Sequence, residues 1–318
     1  MAAATRSIGG ALSAGRVRIL PSVAEHRAAG SPIVALESSV LAQGLPIPSN
    51  RQAAEEMSAG VIRGGAIPAI TAVVRGEVTL GITDEELERF LAREGVRKVS
   101  SRDMPVAMAQ KADGATTVAA SLCVAVATGT SVFATGGIGG VHRDAPFDES
   151  GDLVELSRSP VVCVCAGAKS ILDLPATLER LETLGVTVVG YGTDELPGFF
   201  TTTTGLRLTA RADSPGEIAD IFLASRALGR RQAILVVQPP PADLALPRGL
   251  VDGAVAGALV KARAAGISGA RTTPFLLGAV LEATEGRSLF TNLGLLRENA
   301  TLAGQIAREL ANRADTHG

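Results

Sequence analysis

The chain has 318 residues, 46% of them hydrophobic but only 3% aromatic, with no tryptophan and a formal net charge of −2. That composition supplies ample material for an aliphatic core. Scattered cations and so few stacking platforms speak against binding to nucleic acid or a membrane surface, and no apolar stretch reaches membrane-spanning length.

Residues 1–18 contain Arg6, Arg16 and Arg18 and no acid. This bias suits a transit peptide or a disordered Arg- and Ala-rich extension; residues 19–318 are expected to form one domain. There, short β-branched runs alternate with amphipathic stretches. Strands are predicted at 33–37, 69–74, 131–134, 161–165, 186–190 and 234–238, most of them continuously apolar, as strands buried on both faces should be. Thr83-Asp84-Glu85-Glu86 reads as a capping box. Gly114-Ala115-Thr116-Thr117 opens a helix that runs to Gly129, and Ser214-Pro215-Gly216-Glu217 starts another with proline at its first position. Beyond Leu250 the strand signal fades into helices at about 251–265, 273–284 and 292–310. The alternation implies an α/β sandwich with a largely parallel sheet and a helical C-terminal region. Ligands of such sheets bind beyond the carboxyl ends of the strands, which gathers Glu37, the loop after Ala134, and Lys169 at one edge.

Cys123, Cys163 and Cys165 are an odd set, two of them alternating inside an apolar run. They read as buried small hydrophobes in a reducing, cytoplasmic compartment.

Positive charge is written almost wholly as arginine, 26 against four lysines, yet the run 161–168 ends in Lys169. Arginine stays protonated, whereas a desolvated lysine sheds its proton and attacks carbonyl carbon. The alternative is a lysine snorkelling out from a strand end. Glu37 closes another apolar strand, where partial burial would suit a general acid, unless the amides of the Ser38-Ser39 turn saturate it. The block from Thr135 to Arg143 is densely glycine-rich without the spacing of a Walker loop or a dinucleotide fingerprint; its glycines would let backbone approach an anion or a sugar. Asp144, Asp148, Glu149 and Asp152 follow, with His142 beside them. Such a cluster suits a hard divalent ion, Mg2+ or Mn2+, better than zinc, though a solvated helix N-terminus would account for some of these acids. Arg97-Lys98-Val99-Ser100-Ser101-Arg102-Asp103 offers cations and hydroxyls for a phosphate monoester, or forms a basic surface turn.

Taken together, Val34–Ser38, Lys98–Ser100, Gly114–Val118, Phe133–Arg143, Cys165–Asp173 and Thr273–Leu277 resemble the pseudouridine-5′-phosphate glycosidase family, over about residues 20–311. The resemblance implies a three-layer α/β/α sandwich, a homotrimer, and reversible cleavage of pseudouridine 5′-phosphate to uracil and ribose 5-phosphate with a divalent cation, usually manganese. It places the covalent lysine on Lys169, the proton donor on Glu37 and the metal carboxylate on Asp148. Substrate contacts fall on Lys98, Val118, Ser150, Gly151, Asp152 and Asn292, of which Val118 and Asn292 rest on the resemblance alone. There are departures: Gln43 stands where the family has histidine, and Phe199-Phe200-Thr201-Thr202-Thr203-Thr204 and Leu295–Asn299 are atypical. Such changes leave room for a C-glycosynthase that joins ribose 5-phosphate to another carbon acceptor. A catalytically silent sugar-phosphate-binding protein is the reading from another class.

Overall fold

The computed structural model describes residues 17–143, 147–267 and 272–315. In chain order the elements begin β1 (Val17–Ile19), α1 (Pro21–Ala28), β2 (Ile33–Leu36), α2 (Ser49–Arg63), β3 (Ile67–Val74), β4 (Glu77–Leu80), α3 (Asp84–Ala92), β5 (Arg97–Val99), α4 (Met104–Ala109) and β6 (Gly114–Thr116). They continue α5 (Val118–Thr128), β7 (Val132–Ala134), α6 (Gly151–Leu156), β8 (Val162–Cys165), α7 (Leu174–Thr183), β9 (Thr187–Tyr191), β10 (Arg211–Ala212), α8 (Pro215–Ala227), β11 (Ile234–Val237), α9 (Arg248–Ala264), α10 (Thr272–Ala283) and α11 (Arg287–Asp315).

The strands form one eleven-stranded sheet in the order β1-β4-β3-β2-β7-β8-β11-β9-β10, with β6 paired to β3 and β5 to β6. Pairing is parallel except where β3 meets β4 and β6. The fold is a three-layer α/β/α sandwich. Its central strands are the continuous apolar runs expected: β7, β8 and β11 are buried along their whole length. On one face α11 packs against α2 and α8 and lies over β2, β7 and β8, while α5 covers β2, β3 and β4. Cys163 and Cys165 sit in this core. Burial pushes the Cys165 thiol up to about 12 and the Cys163 thiol well above its ordinary range, so neither is a nucleophile at neutral pH.

Local chemistry sets the helix starts. Thr83 accepts from the Glu86 amide, and Glu86 accepts in return from the Thr83 amide, closing the capping box. Ser214 caps α8 through the Glu217 amide.

Two expectations need correcting. Gly114-Ala115-Thr116 is a strand rather than a helix start, because its amides and carbonyls pair with Val73, Ala72 and β5; the helix begins only at Val118. Val17 and Arg18, set aside with the N-terminal extension, form the edge strand β1 against β4, where the Arg18 guanidinium grips Glu86. Arg16, Arg6 and the rest of that stretch lie outside the described residues.

Candidate active site

Past their last ladder bonds, β7 and β8 keep pairing. The Ala166 amide donates to Gly136, the Ile138 amide to Gly167 and the Lys169 amide to Ile138. Two loops thus travel side by side out of the sheet, and Lys169 is delivered next to the glycine-rich block. Two glycines there are needed for room. Gly167 has φ +88°, and a Cβ on it would stand 2.6 Å from the Pro197 carbonyl oxygen; one on Gly139 would meet Ser150 Oγ at 2.3 Å. The half-buried Lys169 then donates from Nζ to the Gly137 carbonyl at 2.6 Å.

Glu37 follows β2 and is buried. Its two oxygens are taken by hydroxyls, one from Thr135 and the other from Ser39 at 2.6 Å. The backbone amides of the following turn do not saturate it. Next to it, Ser38, Thr71, Thr116 and Ser121 form a buried hydroxyl network that ties β2, β3, β6 and α5 together. That network fixes where α5 begins, and so where Thr117 and Val118 face the cavity.

All nine residues nominated from sequence line one cavity of about 360 Å³, within the range of small-molecule sites. Lys169 and Glu37 share it with Lys98 from β5, Val118 at the first position of α5, and Asn292 from α11. Asp148 and the Ser150-Gly151-Asp152 start of α6 complete the set. Lys98 stands at the accessible rim. Protein crowding the cleft around it, and then its neighbour Lys169, hold its pKa below the ordinary lysine range, against the opposing pull of Asp152 and Glu37. Ser100, Arg102 and Asp103 line the same wall, while Arg97 turns away to Gln110.

The acids divide by partner. Asp152 is consumed structurally: it accepts from the Gly139 amide at 2.8 Å and the Ala119 amide at 2.9 Å, latching the glycine-rich loop to α5. Glu149 is held by Arg180. The Asp148 carboxylate is exposed in the cavity and carries no bond to the protein among the described residues. Asp144 lies outside them. No group of three or more His, Cys, Asp or Glu is gathered for a metal among the described residues. One open carboxylate among hydroxyls suits an ion that keeps most of its waters and takes substrate oxygens; it does not suit a zinc cage.

Sequence reasoning missed Thr117 in the wall and the part played by Thr135 behind it, while Gln43 and Asn292 were already singled out. Thr135, which holds Glu37, was visible only as part of the glycine block. Gln43 Oε1, Thr117 Oγ1 and Asn292 Oδ1 are buried acceptors with no partner among the described residues, all on residues lining this cavity. Unsatisfied buried polar atoms are rare enough to call for a ligand or water. Asn299, buried in α11, donates to the Thr135 carbonyl at 2.9 Å and so fixes the loop from 164 residues away.

Comparison with known proteins agrees with this geometry. Residues 22–309 match the family model described as "Indigoidine synthase A like protein". A pseudouridine-5′-phosphate glycosidase of Gemmatimonas aurantiaca is 65% identical over 92% of this chain and 95% of its own length. A glycosidase of the same name from Herpetosiphon aurantiacus is 50% identical over 91% and 96%. Among solved structures, the prealnumycin C-glycosynthase AlnA in complex with ribulose 5-phosphate superposes with a TM-score of 0.87 at 33% identity, covering 94% of this chain and 98% of that one. An indigoidine synthase A-like protein of Thermotoga maritima gives 0.85 at 32% identity, with coverage of 97% and 100%. The chain belongs to the indigoidine synthase A-like family, in the branch of the pseudouridine-5′-phosphate glycosidases, and is an enzyme of that C-glycosidase kind.

Proposed function

We propose that this enzyme reversibly splits pseudouridine 5′-phosphate into uracil and ribose 5-phosphate through a lysine-bound, ring-opened sugar. One observation carries the reading: a single glycine-rich loop holds the Lys169 amine through Gly137 and the Glu37 carboxyl through Thr135, in a cavity that also contains Lys98. A carbon–carbon glycosidic bond offers no leaving oxygen to protonate, so the two-carboxylate route of ordinary glycosidases is poorly suited. An amine solves that problem. Deprotonated Lys169 Nζ bonds to the anomeric carbon, and the ring oxygen leaves with a proton supplied through Glu37. The new ammonium gives a proton to the Glu37 carboxylate, and the nitrogen lone pair so restored drives out the base, whose ring carbon takes up a proton, leaving an iminium on the sugar. Water hydrolyses the iminium, releasing ribose 5-phosphate and restoring the amine.

Lys98 and the N-terminus of α5 at Val118, where Thr117 makes no side-chain cap and Asp152 takes only the Ala119 amide, would receive the phosphate. A divalent ion such as Mn2+ or Mg2+ on Asp148 would supply charge for phosphate and water oxygens. The resemblance further implies a homotrimer and the three free cysteines suit the cytoplasm, which sedimentation and fractionation test.

Borohydride reduction in the presence of ribose 5-phosphate should leave one adduct on Lys169, read by peptide mass spectrometry. Lys169→Arg should abolish both adduct and turnover while the folded circular-dichroism spectrum persists. Residual turnover in that variant would sink covalent catalysis, and an untrapped wild type would leave a mere sugar-phosphate binder. A second reading, bond formation onto a non-uracil carbon acceptor, is favoured by Gln43 in the cavity wall and by the likeness to AlnA. Incubating the enzyme with ribose 5-phosphate and uracil beside other carbon nucleophiles separates the two by which C-glycoside accumulates.

A further inference from the structure

A second cavity, of about 450 Å³, is lined in part by chain neighbours of residues that line the first. Lys169 and Leu172 line one while Ser170 and Asp173 line the other; Phe199 faces the first and Gly198 the second. The threonine run that the fold and the first cavity leave without a role is here, with Thr201, Thr203 and Thr204 all in the wall.

Two of its polar groups lack a partner among the described residues. Arg143 gives Nε to the Leu172 carbonyl at 2.9 Å and Nη2 to the Ser170 carbonyl at 3.2 Å, and Nη1 has no partner among the described residues. Ser170 is only 5% exposed, yet its Oγ has no partner either. Arg248 opens α9, whose N-terminus no side chain caps. Of the two acids in the wall, Asp173 accepts from the Ala176 amide to cap α7, and Asp252 lies 3.4 Å from Arg248 in an exposed pair that an incoming anion would share. An unpartnered guanidinium nitrogen, an orphaned buried hydroxyl and an uncapped helix N-terminus ask for the same thing, an anion with several acceptor oxygens. A carboxylate has two such oxygens and a phosphate three. The cavity exceeds a bare phosphate ion, and Leu174, Pro175 and Val251 line it with carbon.

We propose that this cavity is a second phosphate site, built for a small phosphate monoester and separate from the one beside Lys98. Its occupant bears on Arg143, and Arg143 holds the carbonyls of the segment that follows Lys169.

Calorimetric titration with glycerol 2-phosphate tests the assignment without reference to catalysis. Lys98→Gln, which disables the first site, should still bind one equivalent. Adding Arg248→Gln should weaken that remaining binding by about tenfold or more, and adding Ser170→Ala should weaken it too. Arg248 is exposed and Ser170→Ala removes only an unpartnered hydroxyl, so neither change threatens the fold. Binding should also slow hydrogen exchange in the peptide spanning 169–173, and Arg248→Gln should remove that protection. Loss of all binding in Lys98→Gln would overturn the proposal. Binding of inorganic phosphate alone, with none of the ester, would overturn the assignment to a monoester.

Discussion

Lys98 is the residue whose protonation most directly ties the site to pH. Its folded pKa lies below the ordinary 10.5, first because the cleft desolvates it and then because Lys169 repels it. A lysine depressed on folding burdens the fold while charged. That burden is fully present below the folded pKa and is relieved as pH rises from the folded toward the unfolded value, so stability gains in that window. Ligand binding moves the other way, since a phosphate needs the cation. The KM for the sugar phosphate should therefore rise with pH, starting below 10.5, whereas Lys98→Arg should stay flat over the same range because a guanidinium does not titrate there. An unchanged alkaline rise in Lys98→Arg would assign the titration to another group. Lys98 was legible from sequence because lysine is scarce in this chain; its coupling to Lys169 was not, since 71 residues separate them along the chain.

At the level of elements, what could be read from sequence depended on length and apolarity. The six long β-branched runs all became strands, whereas β1, β5, β6 and β10 are two or three residues long, three of them carrying arginine, too short for a period to show. The glycine-rich block was legible as a loop that approaches something closely. What holds it was not, because Asn299 reaches it from α11. Asn299→Leu would remove the donor and leave the Thr135 carbonyl buried without its partner, at a cost of about 1–3 kcal/mol. The Gly136 carbonyl keeps its bond from the Ala166 amide. Asn299 does not itself line the cavity and acts as a positioning residue, through the loop carbonyls it holds, so its loss should separate rate from binding. At saturating ribose 5-phosphate the rate of borohydride-trapped adduct should fall, while KM should stay within about twofold because Lys98 is untouched. A change in KM with an unaltered trapping rate would place Asn299 outside this role.

Across the whole molecule, one helix crossing connects core packing to catalysis. α11 runs from Arg287 to Asp315, carrying Asn292 into the cavity, Asn299 onto the glycine-rich loop, and Gly304 into contact with α2. At that crossing backbone lies on backbone. A Cβ on Gly304 would stand 2.5 Å from the Val61 carbonyl oxygen and 2.9 Å from Gly64 Cα, and one on Gly64 only 2.4 Å from the Thr301 carbonyl oxygen. Neither neighbour is a flexible side-chain tip that could step aside, so the helices must part. Asn299 is five residues from Gly304, about 7.5 Å along the axis, well within the reach of a rigid shift. Gly304→Ala should therefore destabilise the protein by about 1–3 kcal/mol, as overpacking does, and should also slow adduct formation at temperatures where thermal unfolding shows the variant fully folded. Gly253, in the middle of α9 with nothing within 4 Å of its added Cβ, is the matched control. There the same change should leave trapping untouched and stabilise by about 0.5–1 kcal/mol, because alanine loses less backbone entropy in a helix. If Gly304→Ala melted lower but formed the adduct at the wild-type rate, packing at the α2–α11 crossing would support the fold alone, and the path from that crossing through Asn299 to the glycine-rich loop would carry no catalytic weight.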